Sequence, residues 1–159
     1  MTVKIRPVTS RDRTQLAEIL RDTPEFKPDE VAVAEELIDC CLKDPAGSGY
    51  NVLIAEDGPE IAGYICYGPT PLTKDTWDMY WEAVARGRRG RGIGKALMDA
   101  AERAIREAGG RMIMIETSST PLYENTMRFH LGCGYEIIGR VPDFYMPGDD
   151  KLILRKLLL

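Results

Sequence analysis

The stretch RGRRGRGIGK, Arg86 to Lys95, constrains this chain more than any other. Four glycines and five basic residues share its ten positions. Upstream, TWDMYWEAV is rich in aromatic residues and predicts a strand. Downstream, Ile93, Ala96, Leu97, Ala100, Ala101, Ala104 and Ile105 recur at helical spacing, and Gly109-Gly110 stops the pattern. The local expectation is a strand, a glycine turn and a helix from about Gly92 to Ala108. The first N–H groups of a helix have no internal partner and carry the positive end of its dipole. Glycines ahead of them let a phosphate approach closely. A solvated loop and a nucleic-acid patch are the competing readings.

Composition narrows these. The formal net charge is −4 and the pI about 5.1, whereas a general nucleic-acid binder has a basic footprint. The basic patch is local, on an otherwise acidic chain. It suits one anionic ligand, and the acidic remainder suits a cationic second one. A chain of 159 residues favours a single domain over 1–159. No apolar run is long enough to span a membrane, and MTVKIRPVTSRD has no signal core, so a cytoplasmic protein is expected. Cys40, Cys41, Cys66 and Cys133 form no C-x-x-C pair. A zinc site from Cys40, Cys41, His130 and Cys133 lacks ligand spacing, so buried thiols and no metal are expected.

The rest of the chain reads as a mixed α/β protein. VKIRPV is a first strand. Thr9 and Asp12 form a capping pair for a helix with Leu16, Ile19 and Leu20 inside. Pro24 and Pro28 separate it from a second helix, whose stripe is Val31, Ala34, Leu37, Ile38, Cys41 and Leu42. NVLIAE and EIAGYICYG flank a turn at Asp57-Gly58. After the glycine stretch come the strand RMIMIET, a short helix opened by Thr120-Pro121 and running to about Leu131, the strand GYEIIGRV, a turn-bearing loop PDFYMPGDD and a last strand KLILRKL. The order is β-α-α-β-β-β-α-β-α-β-β.

Three phosphate cradles can be compared with Arg86–Lys95. A P-loop requires a hydroxyl after Gly-Lys, but Ala96 follows Lys95, and Arg89 sits where its first glycine belongs. A dinucleotide turn is matched by Gly90 and Gly92 but has Lys95 in its third glycine position, and too little chain follows for a second lobe. Gln/Arg-x-x-Gly-x-Gly/Ala is matched fully by Arg89-Gly90-Arg91-Gly92-Ile93-Gly94. Here the sequence resembles the GNAT acetyltransferases. IRPVTSRD looks like their opening strand and helix, MYWEAV like their fourth strand, and FHLGCGYEIIGR like their FYxxxGFxxxGR segment.

The resemblance implies a mostly antiparallel sheet of about seven strands, splayed between strands 4 and 5 and flanked by about four helices. It implies acetyl-CoA as co-substrate, an amine acceptor that is a small molecule or peptide, and no metal. Amides from Arg89 through Gly90, Arg91, Gly92, Ile93 and Gly94 to Lys95 would hold the pyrophosphate, with the basic side chains raising the local potential. Ala83 and Val84 would pair with the pantetheine arm, and a backbone N–H there, that of Val84 above all, would face the thioester carbonyl. Tyr123 falls where the family often has an asparagine facing the coenzyme.

Relatives commonly place a tyrosine four residues before the glycine of GF or GY, and its hydroxyl protonates the leaving thiolate. Here that position is His130, the only histidine, which is the candidate general acid; simple solvation of the thiolate and a packing role alone are the other readings. With an unperturbed pKa near 6.5 it would be only about one-quarter protonated at pH 7. At the other end, an ammonium acceptor must lose a proton to a carboxylate before it attacks. Strand alternation puts Asp78, Tyr80, Glu82 and Val84 on one face and Trp77, Met79, Trp81 and Ala83 on the other. This makes Glu82 the nearer base and Asp78 the more distant one, at a place where some relatives carry a catalytic glutamate. Glu116, ending strand 5, could also hold the amine, with Tyr80 and Tyr145 nearby. Glu25, Phe26 and Glu30 fall at the junction of the first two helices, which often shapes the acceptor mouth in the family. Asp143, Asp149 and Asp150 make PDFYMPGDD acidic enough to line it too. A non-catalytic acyl-CoA-binding module and a nucleotide-binding domain remain alternative readings. An exposed edge of strand 6 or 7, or the terminal KLLL, offers a surface for a second copy.

Overall fold

A computed structural model describes residues 3–158. Strand β1 (Lys4–Pro7) is followed by helices α1 (Arg13–Arg21) and α2 (Pro28–Lys43). Three strands come next: β2 (Asn51–Asp57), β3 (Glu60–Pro69) and β4 (Thr76–Val84). Then follow α3 (Ile93–Glu107), β5 (Met112–Ser118), α4 (Glu124–Gly132), β6 (Glu136–Met146) and β7 (Asp149–Leu157). The sheet has seven strands in the order β1-β2-β3-β4-β5-β7-β6. Only β4 and β5 run parallel. Element order and sheet class are therefore those read from the sequence.

Each face of the sheet is covered. On one, α3 buries Ile93, Leu97, Met98, Ala101 and Ile105 against Ile65, Met79, Ile113 and Leu154. Met127 and Phe129 of α4 and Tyr135 join that face. On the other, Leu16 and Leu20 of α1 and Ala34 and Ile38 of α2 pack on Ile54, Tyr64, Cys66 and Ala83. The helical stripes of the sequence thus point at the sheet.

Several local expectations are corrected. A 3-10 turn over Ser10–Asp12 precedes α1, because Asp12 reaches back to the Thr9 amide at 2.7 Å and also holds Arg6 at 2.8 Å. Another 3-10 turn, Pro121–Tyr123, separates Thr120 from α4. The turn after β2 uses Gly58-Pro59, one residue later than expected, since Asp57 pairs with Glu60. PDFYMPGDD is mostly strand: only Pro147-Gly148 turns, between Met146 and Asp149. Pro142 and Asp143 (φ 55) interrupt the ladder without ending β6. Of the terminal KLLL, Leu159 lies outside the described residues.

Candidate active site

The β4–β5 pair holds together only from Thr76–Met112 to Met79–Ile115. Beyond it, β5 continues along β7 and β4 continues along β3, so the two strands part and leave a wedge. A bulge coincides with the parting. Tyr67 opposes Met79 and Cys66 opposes Trp81, which leaves Tyr80 as the extra residue of β4.

The bulge overturns the simple alternation expected for TWDMYWEAV. Trp77 and Met79 face α3, but Tyr80, Trp81 and Ala83 pack on the α1–α2 side. Asp78, between Trp77 and Met79, shares that second side and accepts a hydrogen bond from Thr70 Oγ1 at 2.7 Å. Val84 packs on the α3 side, and Glu82 Oε1 lies 3.5 Å from where a side chain on Gly94 would begin. Asp78 and Tyr80 therefore occupy one face, and Glu82 and Val84 the other. The expectation that Glu82 is the nearer base on the Asp78 face is corrected by that one extra residue.

The bulge also fixes which amides face the wedge. Ala85 donates to Ala62 O at 2.7 Å, so Ala85 and Ala83 turn their N–H groups toward β3. Glu82 and Val84 turn theirs the other way, to the edge that β5 has left. Of the expected pair Ala83 and Val84, only Val84 offers its amide, and Glu82 adds a second. Neither the bulge nor the Glu82 amide had a signal in the sequence.

The wedge runs into the glycine turn. Gly90 (φ 78) and Gly92 (φ 80) are both left-handed, a conformation that a side chain would strain. Gly92 is the N-cap of α3, and Ala96 makes the first helical bond back to Gly92 O at 3.0 Å. The amides of Ile93, Gly94 and Lys95 are thus free of helical partners at the positive end of α3.

The basic side chains are less available than their number suggests. Arg88 is held by Asp57 and Glu60, at the β2–β3 turn. Arg86 approaches Asp22 at 3.8 Å, Lys95 pairs with Asp99 at 2.7 Å, and Arg89 pairs with Glu25 at 3.2 Å. Among the described residues, Arg91 is the one side chain of the five with no ion pair. The positive stretch is therefore largely matched by acids, and Arg91 stands unpaired beside the free amides of the glycine turn.

Across the wedge, Tyr123 donates to Glu25 O at 2.9 Å or to Glu30 Oε2 at 3.1 Å. It clasps the α1–α2 junction through its hydroxyl. Burial and then the charge of Glu30 push its phenol up. Burial works against ionisation of Glu25, but the hydrogen bond from Arg89 and nearby charge hold it below the usual range. Glu116 is the first residue of β5 past the closed pair, exposed and joined to Lys151 at 2.9 Å. Tyr145 is half exposed, its phenol raised by burial and then by Glu116, Asp149 and Glu30. Asp149 is buried and accepts from Ser118 at 2.5 Å, and Asp150 accepts from Arg140 and the Asp143 amide. Asp150 thus ties β6 to β7, and Asp149 ties β7 to β5.

His130 is buried on the α3 side beside Phe129 and Tyr135, with Nδ1 lacking a hydrogen-bond partner. Burial lowers its pKa to about 4. At neutral pH it is a neutral imidazole. The four cysteines are free, and among the described residues no three His, Cys, Asp or Glu side chains gather as a metal site. No helix among them is long and apolar enough to cross a membrane.

The arrangement has known counterparts. A family model described as the GNAT acetyltransferase family matches residues 13–135. The chain belongs to the GNAT acetyltransferases. A Desulfovibrio desulfuricans protein assigned to this family is 38% identical, with a TM-score of 0.95 over 98% of this chain and 99% of that one. An aminoglycoside 6′-N-acetyltransferase complexed with coenzyme A shares the fold at 22% identity and a TM-score of 0.75, covering 100% and 98% of the two chains. So does the PaiA N-acetyltransferase of Thermoplasma acidophilum, in complex with coenzyme A, at 16% identity and a TM-score of 0.78 over 99% and 100%. Comparison with curated proteins finds no match. In this GNAT chain the wedge and glycine turn are built of backbone, while His130 stands where the family commonly has tyrosine.

Proposed function

We propose that this protein transfers an acetyl group from acetyl-CoA to a primary amine by direct attack, with both substrates bound at once. The observation that carries this reading is the two sets of backbone donors without strand or helix partners among the described residues, Glu82 and Val84 at the parted edge of β4 and Ile93, Gly94 and Lys95 at the start of α3. Together they fit an extended arm that ends in a pyrophosphate. In the wedge, the Val84 amide is aimed to receive the thioester oxygen as it gains negative charge, a task that fixed dipoles perform well.

Asp78 is the base of this proposal. It lies on the α1–α2 side, is oriented by Thr70 and sits next to the Tyr80 phenol, which burial and then Asp78 raise to about 12. Tyr80 stays protonated there and leaves the carboxylate as the proton acceptor. Glu116 and Tyr145 flank the far wall of the wedge and suit an ammonium ion in approach. The four free thiols agree with work in the reducing cytoplasm.

A second reading draws on His130. A neutral, buried imidazole is a poor replacement for a tyrosine proton donor, which suits a chain that binds acyl-CoA without turning it over. Two assays separate the readings. Acetyl-CoA should raise the thermal midpoint under both. Thiol release that depends on added amine is expected only from an enzyme. No stabilisation by acetyl-CoA would remove both.

A further inference from the structure

Two polar atoms on the α3–α4 side are buried without a partner: Glu82 Oε2 and His130 Nδ1. One comes from β4, a wall of the wedge, and the other from α4. Phe129 is near both: it and Glu82 approach the same point at Gly94, and its ring neighbours that of His130. Its Cζ is 3.4 Å from the empty side-chain position of Gly94, and its ring centroid is 5.6 Å from that of His130. The Glu82 carboxyl thus sits under the first turn of α3, on the residue whose own amide faces the wedge. Glu82 as a whole is half-buried, but its Oε2 is out of water without a partner, which is costly, and an apolar side chain would fill this place at less expense. Packing does not account for it.

We propose that Glu82 is a protonated carboxylic acid that hands its proton to the departing coenzyme A thiolate, the task that tyrosine performs in relatives. The proposal rests on the acetyl-transfer reading above. As the carbon–sulfur bond breaks, its electron pair passes to sulfur. The Glu82 O–H bond breaks, and its proton goes to that sulfur. The carboxylate left behind lies at the positive end of α3. It takes a proton back from water, which matches one released by the acceptor amine. A thiol of pKa near 8.5 makes this transfer favourable for any carboxylic acid that titrates below it.

The surroundings keep the acid neutral between turnovers. Burial holds its pKa well above the usual carboxylate range. The groups that feel Glu82 are Cys133 and Tyr135, both neutral and themselves pushed up, first by burial. The charges nearest Cys133 are already matched: Lys156 holds Glu102 at 2.8 Å, and Lys95 holds Asp99 at 2.7 Å. No cation pairs with Glu82 among the described residues.

The test has two readouts. Infrared spectra of the ligand-free protein at about pH 7.5 should show a carboxylic-acid C=O stretch that surface carboxylates do not give at that pH. Glu82→Gln should lack it. The same variant should keep its affinity for acetyl-CoA and lose kcat by about a hundredfold, the low end of general-acid effects, because a thiolate is a tolerable leaving group. If glutamine unfolds the chain, Glu82→Leu and the wild-type band together serve. No acid band in the wild type, or a variant kcat within threefold of wild type, would overturn the proposal. A wild type that binds acetyl-CoA but acetylates no amine removes the transfer reading and this role with it. Equal transfer by wild type and variant removes this role alone.

Discussion

His130 should make the fold sensitive to mild acid. Burial lowers its pKa from the ordinary 6.5 to about 4. The unfolded chain therefore binds a proton that the folded chain refuses. The stability that follows from the neutral imidazole is complete above the unfolded pKa and is lost as pH falls from 6.5 toward 4. Between about pH 7.5 and pH 5 the loss is about 2 kcal/mol, and across the whole shift about 3 kcal/mol. The residue is only 7% exposed, so water does little to screen the effect. His130→Phe removes the group. Urea unfolding of both proteins at the two pH values checks this, with the fall in wild-type stability exceeding that of the variant by about 2 kcal/mol. Because His130 is the only histidine, its imidazole signals in an NMR titration need no assignment. Parallel stability curves, or a folded-state midpoint near 6.5, would refute the reasoning. So would a neutral-pH limb in the rate profile that vanishes with His130→Phe.

The other predictions concern binding and the base. Asp78→Asn should lower kcat at least tenfold in a thiol-release assay while leaving the Kd for acetyl-CoA unchanged. Arg88→Ala should lower the thermal midpoint and leave that Kd alone, because Arg88 is spent on Asp57 and Glu60. Arg91→Ala should do the reverse, weakening coenzyme A about tenfold by calorimetry. Glu25→Gln releases Arg89 and should tighten coenzyme A about three- to fivefold, the range expected for a partly exposed ion pair.

Much of this architecture was legible because it depends on local pattern. Of the α3 stripe Ile93, Ala96, Leu97, Ala100, Ala101, Ala104 and Ile105, four residues (Ile93, Leu97, Ala101 and Ile105) are buried and the other three alanines are half-buried, while Met98 and Glu102 are buried without having been expected. The glycine turn was legible because Gly90 and Gly92 sit where the backbone takes positive φ. The splay between β4 and β5 came only with the family resemblance, since nothing in either strand announces where they part. The bulge at Tyr80 was invisible for a similar reason. TWDMYWEAV has no glycine or proline to mark it, and one extra residue reversed the faces of Asp78 and Glu82. The partners of Arg88 and Arg89 lie far away in the chain, so the stretch read as a basic patch when most of it is neutralised. β6 was misread in the opposite sense. Pro142, Asp143 and Pro147 signal a loop, but pairing with β7 carries the strand through to Met146. Thr70, which orients Asp78, had no signal beyond being a hydroxyl in a connection.

The central claim is that the backbone donors of β4 and of the start of α3 hold acetyl-CoA for attack by an amine. Single-turnover NMR with acetyl-CoA labelled at the acetyl carbonyl tests it most directly. The account predicts that the thioester resonance is replaced by an amide resonance only when a primary amine is present, with one free thiol formed for each amide. A thioester that stays bound and unchanged across an amine panel, or that passes to free acetate alone, would contradict it.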